Sequence, residues 1–105
     1  MAIKKNCSIH ITKDRLPRAN YIIEKIGFGN VIAEREWVDT TGRPCIRQLT
    51  DTGIIIVLDT NREMVITLFA ATVLQIKAMY FGKISNWLYR LAKKNEQIMK
   101  GFKEE

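Results

Sequence analysis

The chain has 105 residues, 47% of them hydrophobic and 27% charged, an ordinary globular mix that excludes a disordered tail and a collagen-like repeat. That is one domain's worth, residues 1–105, able to bury roughly two-thirds of the surface its unfolded form exposes. Lysine and arginine outnumber aspartate and glutamate by 17 to 11, which points to a polyanionic partner, and the longest apolar run, Ile54–Leu58, falls well short of the roughly 20 residues that span a membrane.

Met1–Lys5 is short and basic, and no apolar core follows it, so the expectation is a cytoplasmic protein without a secretory signal or a membrane segment. Cys7, Ile9 and Ile11 alternate with Ser8 and His10, the period of a short strand. Asp14 is placed to cap a helix whose first turn holds Pro17, where a missing N–H costs little. Leu16, Ala19, Ile22, Ile23 and Ile26 then make one apolar stripe, which Gly27 ends.

Val31 to Val38 predicts a strand with Val31, Ala33, Arg35 and Trp37 on one face and Ile32, Glu34, Glu36 and Val38 on the other. Turn residues 39–42 lead to a strand over Pro44–Thr50, and Asp51-Thr52-Gly53 is a tight connection. Ile54–Leu58 has no polar alternation, so it should be a central strand covered on both faces. Met64–Ala70 closes the meander, with Met64, Ile66 and Leu68 opposite Val65, Thr67 and Phe69. Thr72 and Gln75 have capping-box spacing. A long helix should follow to about Met99, with Ile76, Tyr80, Ile84, Trp87, Leu88, Leu91 and Ile98 as its apolar stripe, Gly82 as a local weakness and residues 100–105 as a frayed tail. The order β-α-β-β-β-β-α is an α+β fold: an antiparallel four- to five-stranded meander with one N-terminal helix and one long C-terminal helix.

The charge is uneven. Residues 1–30 carry a net +4, residues 31–70 a net −2 and residues 71–105 a net +4. A phosphate backbone would therefore be held mainly by the helices, through Lys13, Arg15, Arg18, Lys83, Arg90, Lys93 and Lys94, with Tyr89 as a surface aromatic beside them. Trp87 and Tyr80 fall on the apolar stripe and are expected in the core.

Other chemistry is sparse. Cys7 and Cys45 lack C-x-x-C spacing and His10 is the single histidine, so two reduced thiols, no metal and no cofactor are expected. Asp51-Thr52-Gly53 matches the aspartic-protease tripeptide, but a C-terminal helix does not suit that all-β fold, and Asp-x-Gly is ordinary turn chemistry. His10 has an acid–base group that works near neutral pH, Arg43 and Arg47 could clamp a phosphate, and Thr67 is the one polar side chain within the last strand.

The segment Ile9-His10-Ile11-Thr12-Lys13, the helix after it and the strand Met64-Val65-Ile66-Thr67-Leu68-Phe69 resemble the RelE/ParE-like small toxin superfamily over about residues 8 to 70. The likeness is to the branch that opens with Ile-Thr-x-His-Ala-x-x-Arg. Thr12 matches that threonine and Arg18 that arginine, while Asp14 stands in the histidine's place. Such proteins are small, basic and cytosolic, often encoded on plasmids or phages, and many cleave RNA without a metal. The resemblance thus implies a ribonuclease using His10, Arg43, Arg47 and Thr67. Beside it stand a nucleic-acid-binding module, DNA or RNA, and a protein-interaction domain that forms a homodimer or takes a partner protein through its C-terminal helix.

Overall fold

A computed structural model describes residues 16–102. The elements in chain order are α1 (Leu16–Lys25), β1 (Val31–Val38), β2 (Pro44–Thr50), β3 (Ile54–Leu58), β4 (Val65–Ala70), α2 (Val73–Met79) and α3 (Asn86–Met99). The strands form one antiparallel sheet in sequence order, so the α+β class and the meander are as the sequence requires. The expected strand at residues 7–11 and the Asp14 cap lie outside the described residues.

β3 organises the layers. All five of its residues are buried aliphatics, and successive side chains point to opposite faces. Ile55 and Val57 join Cys45, Leu49, Ile76, Met79, Leu88 and Ala92 beneath α2 and α3. Ile54, Ile56 and Leu58 join Ala19, Ile22, Ile46 and Leu68 beneath α1. A strand apolar on both sides leaves water only when each face is covered, and burial at about 25 cal/mol per Å² drives both layers on.

Each helix has local causes. Beyond α1, Gly27 at φ +85° donates its N–H to the Ile22 carbonyl at 3.1 Å, closing the last turn in a conformation that favours glycine. The capping box forms as the spacing requires: the Thr72 hydroxyl accepts from the Gln75 N–H, and the Gln75 side chain accepts from the Thr72 N–H.

Three details differ from the sequence reading. The C-terminal helical region is divided, because Phe81 (φ 56°) and Gly82 (φ 90°) are both left-handed; the chain reverses there and restarts after Ser85. β4 begins at Val65 and has an irregularity opposite Val57/Leu58. As a result Ile66 packs with Phe69 under α2 and α3 instead of with Leu68. Trp87 leaves the stripe and is 50% exposed, since after the break Leu88, Ala92 and Asn95 set the buried face of α3.

α3 passes from one face of the sheet to the other. Leu88 and Ala92 pack in the α2-side cluster, while Met99 reaches the α1-side cluster. The crossing is fixed at the β2–β3 turn, where buried Asn95 donates its side-chain amide to the Thr52 carbonyl at 2.8 Å. The Thr52 hydroxyl in turn donates toward Gly27 at 2.7 Å, tying the end of α1 to the same turn.

Gly53 has φ +87°, and a Cβ there would stand 2.5 Å from Asn95 Nδ2 and 3.0 Å from Leu91 Cγ. Gly82 has φ +90° but open space around it. Gly82→Ala should therefore cost about 1–2 kcal/mol, the conformational penalty alone. Gly53→Ala should cost visibly more, because α3 must also shift. Urea unfolding midpoints of the two variants check the order.

Candidate nucleic-acid interface

The outer side of α3 is cationic. Arg90, Lys93 and Lys94 are exposed on the side away from buried Leu88, Ala92 and Asn95, and exposed Lys100 follows the helix. Trp87 and Tyr89 flank them, both exposed, and Tyr89 is a surface aromatic as expected. Among the described residues one carboxylate pairs with them: Glu96, 3.6 Å from Lys93 in an exposed pair that leaves the lysine free to exchange partners. From Met64 to Asn95 there is no aspartate or glutamate, while Lys77, Lys83, Arg90, Lys93 and Lys94 all fall within that stretch.

The two ends of the described chain meet. The Tyr21 hydroxyl on α1 donates to the Ile98 carbonyl at 2.8 Å, and the Arg18 guanidinium lies 5.7 Å from the Phe102 ring. Arg18 also borders a small hollow of about 200 Å³ with Ala92, Glu96 and Met99. Its charge thus joins the α3 surface, while Lys13 and Arg15 lie outside the described residues. Lys83 sits elsewhere, on the α2–α3 connection, lining a shallow groove of about 410 Å³ with Tyr80, Ile84 and Trp87.

The sheet holds a second cationic feature, on the face that carries α2 and α3. Arg35 on β1 is directly opposite Arg47 on β2, Arg47 is opposite Val57, and Val57 is opposite Thr67 on β4. Arg35 donates to the Met79 carbonyl at 2.9 Å and the Glu34 carbonyl at 2.7 Å, closing the end of α2, and lies near the rings of Tyr80 and Phe81. Arg47 stacks on Trp37 at 4.4 Å and lies 5.7 Å from Phe69. Burial pulls the Arg47 guanidinium below its ordinary pKa, and burial pushes the nearby Cys45 thiol up.

The other face of β1 is acidic. Glu34 accepts from Arg62 at 3.0 and 3.1 Å and from Gln48 at 2.8 Å. The near-neutral charge of the sheet is therefore a sum over two unlike faces. Within one strand, Glu34, Arg35 and Glu36 alternate sides.

Of the four residues assigned to a ribonuclease, two are brought into one row. Arg47 and Thr67 share the Arg35 row, whereas Arg43 lies at the far hairpin ends in a hollow of about 320 Å³ with Asp39, Asp59 and Met64. His10 lies outside the described residues. The row's four side chains, Arg35, Arg47, Val57 and Thr67, include no group that titrates near neutral pH. Sequence reasoning missed Arg35 and Trp37 as companions of Arg47. The short 39–43 turn put all three on one face, a signal that pairing the hairpin would have exposed. Within the apolar stripe of the C-terminal helical region, Ile76 and Leu88 are core residues and Trp87 is exposed. Asp51 of the protease-like tripeptide accepts from the Asn30 N–H at 2.9 Å, a turn contact. Among the described residues no helix is long and apolar enough to cross a membrane, and no cluster of potential metal ligands occurs.

Comparison with protein-family models, curated proteins and solved structures finds no match.

The Glu34 carboxyl is held well below its ordinary value of 4.5, at about 2, first by the hydrogen bond from Arg62 and then by that from Gln48. A lowered carboxyl contributes stability above its unfolded pKa, and that contribution fades as pH falls from about 4.5 toward 2. NMR titration should place the Glu34 carboxyl at about 2, well below its ordinary 4.5. Arg62→Met should move it back toward 4.5 and reduce the loss of stability in acid.

Proposed function

We propose that the chain is a nucleic-acid-binding module that lays the phosphate backbone along α3. The observation that carries this is the outward side of α3: Arg90, Lys93, Lys94 and, just beyond, Lys100, paired among the described residues with Glu96 alone. Cations in such a row release condensed counterions when they neutralise phosphates, so they add affinity without reading sequence. Arg18 extends the strip from α1, and Trp87 and Tyr89 supply exposed rings on which bases stack. A ribonuclease needs a group that takes and gives a proton, and the Arg35 row has none among the described residues. Binding needs none.

Gel-shift affinities for a short DNA duplex and a single-stranded RNA, measured across salt, test this. With about four phosphates engaged, log affinity should fall against log salt with a slope of about −3 to −4. Lys93→Gln/Lys94→Gln should weaken binding at low salt by about tenfold or more and flatten that slope by nearly 2. Absence of any shift at low salt would remove the proposal.

A further inference from the structure

Among the described residues, Arg47 is a cation without an acceptor. Its Nε is buried and has no hydrogen-bond partner, and no acceptor for its other nitrogens occurs among the described residues. The remaining sheet arginines differ. Arg62 is held by Glu34, and Arg35 gives Nε and one terminal nitrogen to carbonyls. Stacking on Trp37 offsets part of the desolvation of Arg47 but supplies no lone pair to its N–H groups. Arg35 and Arg47 are also direct partners in the strand register on one face of the sheet, an unfavourable pairing of like charges, and neither strand carries a carboxylate on that face.

We infer that Arg47 and the unused terminal nitrogen of Arg35 form a binding site for a phosphate group on the α2-side face of the sheet. A phosphate fits both deficits. It accepts from a planar guanidinium through two oxygens, and it carries enough negative charge to relieve two facing cations. The rings of Trp37 and Phe69 wall the site, which matches a phosphate carried on a nucleotide, free or within a chain. This site is separate from the α3 surface and stands whether or not α3 binds nucleic acid.

Trp37 is the built-in reporter, since the sequence has only one other tryptophan, Trp87. In Trp87→Phe protein, inorganic phosphate, AMP and a short oligonucleotide are each titrated against emission, with sodium chloride at matched ionic strength as the baseline. A saturable phosphate-dependent change is expected, weakened at least tenfold by Arg47→Met; with inorganic phosphate and AMP it is unaffected by Lys93→Gln/Lys94→Gln, the background in which the oligonucleotide is compared with them. Equal affinities for phosphate and AMP would identify a free-phosphate site, and a much tighter oligonucleotide a chain-phosphate site. No change beyond the salt baseline with all three, or the same affinities after Arg47→Met, would overturn the inference. Thermal unfolding covers a folding defect. Because it removes a half-buried cation that has no acceptor among the described residues, Arg47→Met should leave the ligand-free Tm unchanged or higher and abolish the rise that phosphate gives the parent protein. A lower ligand-free Tm, with the phosphate-induced rise retained, would make Arg47 a structural residue and refute the site.

Discussion

The two-sided burial of β3 is the constraint from which the architecture follows. Five aliphatic residues in a row leave the strand no face to turn to water. One layer is supplied by α1 and the other by α2 and α3. The chain then has to join the layers around a sheet that has four strands among the described residues. α3 does this by running past the sheet, with Asn95 anchored on the Thr52 carbonyl at the point of passage. Because that anchor sits on the buried side, the outer side of the helix faces water, and it is there that arginine and lysine collect alongside Trp87 and Tyr89.

The charge distribution is best understood by face. Counted along the chain, residues 31–70 are slightly acidic and suggest a sheet with nothing to offer an anion. Resolved by face, Glu34 meets Arg62 and Gln48 on the α1 side, while Arg35 and Arg47 stand together on the other. Along the chain, the run from Met64 to Asn95, which spans β4, α2 and most of α3, is free of carboxylates. Repulsion among the cations costs stability in the isolated chain. Arg35 meets part of that cost by closing the end of α2, whereas Arg47 has only aromatic rings.

Much of the fold was legible in the residues. Period-two alternation marked β1, the uniform Ile54–Leu58 run marked the central strand, and Thr72 with Gln75 marked the start of α2. The break between α2 and α3 was not legible, because Gly82 alone is tolerated within a helix and a left-handed Phe81 has no sequence signature. The changed facing of Ile66 escaped for a related reason: an irregularity in strand pairing reverses alternation without altering composition. For the interface, residue types along α3 were sufficient, since a helix has one buried side and the lysines lie off it. The sheet site was only half visible. Arg47 was noticed, but its partners Arg35 and Trp37 depend on hairpin register, which a linear charge count discards.

The central claim is that polyanions meet the outer side of α3 and the Arg35/Arg47 face of the sheet and leave the Glu34/Arg62 pair on its other face untouched. Side-chain NMR in the presence of an oligonucleotide tests it most directly, through arginine Nε–H and tryptophan indole signals. The account predicts shifts for Arg47, Arg90, Trp37 and Trp87, with Arg62 unmoved in its pairing with Glu34. Shifts centred on Arg62, or an unchanged spectrum under saturating oligonucleotide, would contradict it.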